Sequence, residues 1–297
     1  TKGRIKMSDF AGKTAVISGG AQGIGLSIAT ALGEQGMNIV LADIDQENLQ
    51  KAALELQARG VSVLTVILDV ADEVQWQVVG QQAVERFGKV HMVVNNAGVG
   101  GDSGSIESQN KNGWQWVLDV NLMGVVYGAK AIVPLIKQHG EGGWVINVAS
   151  MAGMTGVPYS GAYTATKAAV VALSESWAGE LERKGIRVSV LCPAFVQTRI
   201  YDSERNRPEQ YQSDDWDIMT ESSFSKRAKH LVENGIEVSI VGKRVVEALN
   251  AGELYIFTHP NYRPFMQQQS AAIDAAFERA EKSPLLQHIV DQKIDML

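Results

Sequence analysis

What most constrains this chain is an alternation of two sequence rhythms. Short runs dense in Val and Ile recur at residues 14–18, 38–42, 62–68, 90–94, 144–148 and 187–191. Most lack polar alternation, which is how strands covered on both faces read. Between them lie segments of helical length, at about 23–35, 46–58, 73–87, 113–138 and 162–183. Gly36, Gly60, Gly88, Gly140 and Gly185 follow these segments, where the residue past a helix end takes φ > 0 without a Cβ penalty. Strand–helix alternation of this kind requires right-handed crossovers. It predicts an α/β fold: one doubly wound parallel sheet with helices on both faces. Six strands are legible, and 254–257 makes a seventh. The rhythm breaks after Thr198. Residues 199–235 are polar, carry Pro208 and Trp216, and read as an inserted loop-and-helix segment; a weakly amphipathic stretch at 265–282 follows the last strand. With no repeat, low-complexity tract or linker, one domain over 8–297 is expected. It would carry the insert at about 199–235 and a C-terminal extension at about 258–297, with residues 1–7 set aside as a leader.

The turn after the first strand reads Ser18-Gly19-Gly20-Ala21-Gln22-Gly23-Ile24-Gly25. Glycines there permit a tight turn, close approach of the backbone to a pyrophosphate, and close packing of helix on strand. The helix N-terminus then offers unpaired N–H groups and partial positive charge to phosphates. A Gly-rich turn alone is often only a turn, but this one opens the first βαβ unit, so a Rossmann-type dinucleotide site is expected. Asp43 ends the second strand, 18 residues after Gly25. A carboxylate there can accept from the adenosine ribose hydroxyls and would repel the 2′-phosphate of NADP. NADP sites tend to supply Arg or Lys to that phosphate, whereas Ala21, Gln22, Ile44 and Asp45 occupy the candidate positions. NAD is the expected cofactor; the plainer alternative is that Asp43 is a solvated loop acid beside Asp45.

Tyr163 and Lys167 stand four residues apart at the start of the fifth helical segment, hence on one helix face. A phenol titrates near ~10, and a nearby ammonium lowers that value. A drop of about two to three units corresponds to ~3–4 kcal/mol and would suit proton exchange with an alcohol or ketone oxygen. Ser150 follows the fifth strand, 13 residues before Tyr163, on the sheet edge where ligands bind in such folds. Its hydroxyl could hold a substrate oxygen beside the tyrosine, or serve only as a turn former. No Cys/His or Ser/His/Asp set presents itself, and the five His lack metal-ligand spacing, so no metal is expected.

In order and spacing, the glycine turn, Asn95-Asn96-Ala97-Gly98, Ser150 and Tyr163-x-x-x-Lys167 resemble the short-chain dehydrogenases/reductases. The resemblance covers about residues 10–198 continuously and the last strand more loosely. It implies that Tyr163 is the general acid/base, that Ser150 orients and polarises the substrate oxygen, and that Lys167 holds the nicotinamide ribose and tunes Tyr163. It implies that Asn121 anchors a water in the proton relay, although spacing alone reads Asn121 as a kinking residue in its helix. By the same resemblance Gly19, Gln22, Gly23, Ile24, Gly25 and Asp43 bind the cofactor with Asp69 and Val70 beside the adenine. Asn96 lies near the adenosine side, Ala97, Gly98, Tyr163 and Lys167 also bind the cofactor, and Pro193, Val196 and Thr198 cup the nicotinamide amide. Ser18 stands where threonine is usual, and Ala194 where glycine is usual. The chain exceeds the family's usual core, both near 199–235 and at the C-terminus. Family members form homodimers or homotetramers through their fourth and fifth long helices, here about 113–138 and 162–183.

Substrate choice is expected to rest on 100–105, 151–159 and 199–235, with Met151, Met154, Val157, Tyr159, Phe195, Tyr201 and Tyr211 as a lining or as protein packing only. An apolar, aromatic-leaning lining suits a hydrophobic secondary alcohol or its ketone. Residues 254–260, with Pro208 and Tyr211, look similar to long-tailed family members acting on aromatic or aryl-ether benzylic alcohols. NAD would favour oxidation, and 199–235 could order over substrate as a lid. The alternatives are an NADPH-dependent ketoreductase, for instance on acyl thioesters, and a non-catalytic NAD-binding sensor. A formal net charge of −6 offers no counterion-release energy against nucleic acid and no attraction to an anionic membrane. The longest apolar stretches, such as 168–173, fall far below the ~20 residues that span a bilayer. No signal segment is legible, and the single Cys192 cannot form an intrachain disulfide. A cytoplasmic enzyme is expected.

Overall fold

The computed structural model describes residues 9–212 and 223–293. Residues 1–7 and Trp216 lie outside them. Seven parallel strands form one sheet: β1 (Thr14–Ser18), β2 (Asn38–Asp43), β3 (Val63–Ile67), β4 (Met92–Asn95), β5 (Gly143–Val148), β6 (Ile186–Cys192) and β7 (Tyr255–Phe257). Their order is β3-β2-β1-β4-β5-β6-β7. The order reverses between β1 and β4, which opens a crevice at the carboxyl ends of those strands.

The Val/Ile runs feed two cores. Ile17, Leu41, Val94 and Ile146 join α1 (Gly23–Glu34), α2 (Gln46–Ala58) and the helix Val238–Ala251 on one face. Their strand neighbours Val16, Val40, Val93 and Val145 join α3 (Glu73–Phe87), α5 (Gly124–His139) and α7 (Gly161–Glu182) on the other. Period-2 alternation is present, but both faces are apolar. Helix Val238–Ala251 escaped the sequence reading, although Val241, Val245, Ala248 and Leu249 are buried on one side of it and Gly252 (φ +70) closes it. It lies tight on α1 because Gly242 has no Cβ; one there would stand 2.2 Å from the Ser27 carbonyl oxygen.

The helix expected at 113–138 is interrupted. It runs as α4 (Lys111–Leu118), a π-turn at Asp119–Met123, and α5. Taken together, Lys111–His139 is long and apolar enough to cross a membrane (mean hydropathy 1.4), contrary to the expectation that no stretch is; 56% of its most apolar window is buried inside the fold. The insert forms 3₁₀ turns at Ile200–Asn206 and Glu209–Tyr211, then helix Ser223–Glu233. The chain divides after Thr258 into two compact units. The second carries a 3₁₀ turn, Pro260–Tyr262, and helix Arg263–Glu281, which matches the amphipathic stretch.

Candidate active site

The glycine turn is laced by the end of β4. The Ser18 hydroxyl accepts from the Asn96 N–H (3.0 Å) and the Ala97 N–H (3.2 Å) and donates to the Val94 carbonyl (3.3 Å). The Asn96 amide donates to the carbonyls of Ser18 (2.9 Å) and Gly19 (3.0 Å). Gly19 (φ +61) and Gly23 (φ +58) take the left-handed conformation, and a Cβ at Gly25 would lie 2.1 Å from the Gly19 oxygen. Helix α1 starts from Gln22 with no side-chain cap, so its leading N–H groups are left to whatever fills the crevice. Asp43, 8% exposed, accepts from the Ala21 N–H at Oδ2 and the Asp45 N–H at Oδ1, both at 3.0 Å. Burial raises its carboxyl above the usual range, with these N–H groups pulling the other way. Two backbone bonds leave about two lone-pair sites for ribose hydroxyls. The uncapped terminus, the glycine cradle and this acid fit a dinucleotide.

At the other end, Ser150, Tyr163 and Lys167 meet at the ends of β5 and β6. Ser150 caps the short helix α6 (Met151–Met154), accepting from the Ala152 N–H at 3.1 Å, and its hydroxyl lies 3.4 Å from the Pro193 carbonyl. It is also near enough to the Tyr163 phenol to oppose the rise that burial causes there. The turn-former reading holds in the geometry, and the same residue lines the cleft with Tyr163. Lys167 Nζ donates to the Val148 carbonyl (2.9 Å) and lies 5.7 Å from the centre of the Tyr163 ring. Burial brings the Lys167 ammonium down to about 8. The expectation that Lys167 makes the phenol more acidic is corrected for this state. Burial raises Tyr163 above its ordinary value, and only the Ser150 hydroxyl opposes it.

One continuous cleft joins the two ends. It is lined by Gly19, Gln22, Gly23, Ile24, Asp43, Asp69, Val70, Asn96, Ala97, Gly98, Ser150, Tyr163, Lys167, Pro193, Val196 and Thr198. Gly25 and Asn121 stand behind its wall. Asn121 is fully buried in the π-turn; its amide donates to the Val99 carbonyl (2.9 Å) and accepts from the Val99 N–H (2.8 Å). Both ends of that side chain bond to the Val99 backbone within the π-turn, the arrangement that the kinking alternative describes.

The substrate wall differs from the expected one. Of the side chains named from sequence, Tyr211 lines the cleft, whereas Met151, Met154, Val157, Tyr159, Phe195 and Tyr201 do not. Tyr159 is 57% exposed and packs near Phe224. The wall is instead Val99, Trp116, Val120, Ala194, Ile200, Ser203, Pro208 and Val232. Residues 100–105 act behind it. The Gly100 N–H donates to the Ser203 hydroxyl (2.9 Å), and Asp102 pairs with buried Arg207 (2.8 Å). The Tyr211 hydroxyl donates to Asp119 (2.9 Å).

Sequence spacing also missed a spatial cluster, His91, His139 and Glu141, whose ligand-type atoms lie within 4.8 Å of one another. Their hydrogen bonds argue against a metal. His91 Nδ1 accepts from the Thr14 N–H (3.2 Å), so its Nε2 carries the proton and donates to Glu141 (3.1 Å). His139 Nε2 donates to the Val90 carbonyl (2.8 Å), and its Nδ1 accepts from the Glu141 N–H (3.2 Å). No ring nitrogen keeps a free lone pair.

With this geometry in hand, likeness to known proteins carries weight. The profile described as short chain dehydrogenase matches residues 13–209. A CLA biosynthesis dehydrogenase/reductase of Lactiplantibacillus plantarum is 35% identical over 89% of this chain and 93% of its own. A 3-alpha-(or 20-beta)-hydroxysteroid dehydrogenase of Mycobacterium tuberculosis is 41% identical over 64% of this chain and 72% of its own. A crystal structure of a short chain dehydrogenase/reductase from Burkholderia phymatum in complex with NAD superposes with a TM-score of 0.87 at 36% identity, covering 91% of this chain and 97% of that one.

Proposed function

The chain belongs to the short-chain dehydrogenase/reductase family of oxidoreductases, and we propose that it interconverts a hydrophobic secondary alcohol and its ketone with NAD as partner. The observation that carries this reading is the meeting of Ser150, Tyr163 and Lys167 on the wall of one cleft whose far end holds the glycine turn and Asp43. Bound nicotinamide would accept or supply the hydride. The chain's own groups handle the oxygen. Ser150 holds the substrate oxygen, and Tyr163 gives it a proton in reduction or takes one in oxidation. Lys167, 5.7 Å from the centre of the Tyr163 ring, would favour the phenolate that oxidation requires wherever the bound cofactor keeps it protonated. Val99, Trp116, Val120 and Ile200 suit an apolar substrate body. The hydroxysteroid dehydrogenase relative and the NAD-bound structural neighbour support the alcohol class and the cofactor. An NADH-absorbance screen of secondary alcohols with NAD tests the reading. Tyr163→Phe is expected to keep NADH binding and lose on the order of 10²–10⁴-fold in turnover. Turnover equal to the parent enzyme's would refute the role of Tyr163.

A further inference from the structure

Two arginines of the insert take no part in the chemistry above. Arg199 and Arg205 line the same cleft as Gly23, Ile24 and Asp43. The Arg199 guanidinium is half exposed and engaged by Asp202. Arg205 is more enclosed, its side chain 23% exposed. Its Nη1 donates to the carbonyls of Arg199 (3.3 Å) and Asp202 (2.5 Å), with the Asp202 carboxylate 3.8 Å away. Its Nε and Nη2 make no hydrogen bond to any described residue, which leaves three N–H donors for a ligand.

The placement of this guanidinium is built. The 3₁₀ turn that carries it is held from behind by Ser203 on the Gly100 N–H and by the Arg207–Asp102 pair, whose side chains are 4% and 5% exposed. Arg207 also lies over the Trp116 ring at 4.7 Å. Arg205 shares the cleft lining with Gly23, Ile24 and Asp43. Its field, with that of Arg199, reaches Asp45. Burial alone would raise the Asp45 carboxyl, but the Asn48 hydrogen bonds and these two guanidinia bring it below the usual range.

We propose that Arg205 is a ligand for the phosphates of the bound dinucleotide, meeting them from the insert side of the cleft opposite the uncapped start of α1. The inference rests on the dinucleotide reading above and extends it to a residue outside the glycine turn. Asp43 and Asp45 make the ribose end of β2 anionic, so the pyrophosphate, rather than a 2′-phosphate, is the group a guanidinium here complements. Ile200, Ser203, Pro208 and Tyr211 belong to the same stretch and line the substrate wall. Cofactor charge would then hold that wall in place.

Titration calorimetry of the full chain with NADH, ADP-ribose and adenosine, for the parent, Arg205→Gln and Arg205→Lys, tests this. Arg205→Gln is expected to weaken NADH and ADP-ribose about tenfold, as loss of a charge-assisted bond does, with adenosine unchanged. Arg205→Lys should recover part of the loss, and thermal midpoints should match the parent's. Equal NADH affinity in Arg205→Gln would overturn the assignment. So would an equal loss for adenosine, which would mean a misshapen pocket, or a loss confined to NADPH, which would assign the guanidinium to a 2′-phosphate. If the parent binds neither NADH nor NADPH, the dinucleotide reading itself fails.

Discussion

Asparagine at position 43 separates the roles of the Asp43 carboxylate. In the structure it accepts two backbone N–H groups at 3.0 Å and faces the cleft with its remaining lone pairs. Asp43→Asn keeps the shape and removes the charge. Its carbonyl can serve the Ala21 N–H or the Asp45 N–H but not both, so one buried donor is orphaned at a stability cost of about 1–3 kcal/mol. Toward NAD, two charge-assisted bonds to ribose hydroxyls are weakened; a total loss of about 3 kcal/mol corresponds to roughly a hundredfold in kcat/KM. Toward NADP the sign reverses. A carboxylate about 4 Å from a phosphate charge at an effective dielectric of 20 is disfavoured by about 4 kcal/mol, and removing it releases that penalty. The ratio of NAD to NADP efficiency should therefore fall by on the order of 10³-fold or more. Initial rates with each cofactor, alongside a melting curve, read both effects. A variant that melts earlier yet keeps the parent's ratio would show that Asp43 only organises the loop, and a parent that prefers NADP would refute the charge argument outright.

Asn121→Ala should leave both the Val99 N–H and the Val99 carbonyl without their partner and lower stability by about 2–4 kcal/mol, seen as an earlier urea midpoint. An unchanged midpoint would mean that the π-turn does not depend on those bonds. Burial pushes Glu204, beside Arg207, up to about 7. Between its unfolded value of 4.5 and about 7 the folded chain holds this proton more tightly than the unfolded chain. The stability it contributes is therefore present below that window and lost as pH rises through it. Glu204→Gln should flatten this part of the stability–pH curve, and an identical slope in the variant rules the assignment out. Because burial raises Tyr163, ketone reduction starts from the resting phenol, whereas oxidation needs it deprotonated. The oxidation rate should climb with pH while reduction falls, and parallel profiles in the two directions would contradict this.

The sheet was legible because strands buried on both faces leave no ambiguity between polar and apolar sides, and the glycine turn was legible because its spacing is local. The cleft residues from Gly19 to Thr198 sit at strand ends, so a correct strand list already places them together. The insert was misread for a geometric reason. The segment kinks at Asp202, so no single helical period shows which of its residues face inward: Ile200, Ser203, Arg205 and Asn206 line the cleft while Tyr201 is 40% exposed, and aromatic character is the wrong guide. The π-turn depends on an amide bonded to Val99, 22 residues away. The acidity of Tyr163 depends on burial that only the assembled fold supplies. His91 and Glu141, 50 positions apart, meet because β4 and β5 pair in register.

Ser150 begins helix α6 and faces Tyr163 with the same oxygen. One of its lone pairs is taken by the Ala152 N–H, but its lone hydrogen can swing from the Pro193 carbonyl toward an arriving ketone. Recruiting it takes rotation about a single bond and no backbone shift, so the oxygen-gripping end of the pocket is ready before anything enters it. Deleting the hydroxyl would slacken the local helix and the grip together, whereas threonine at this position could keep both.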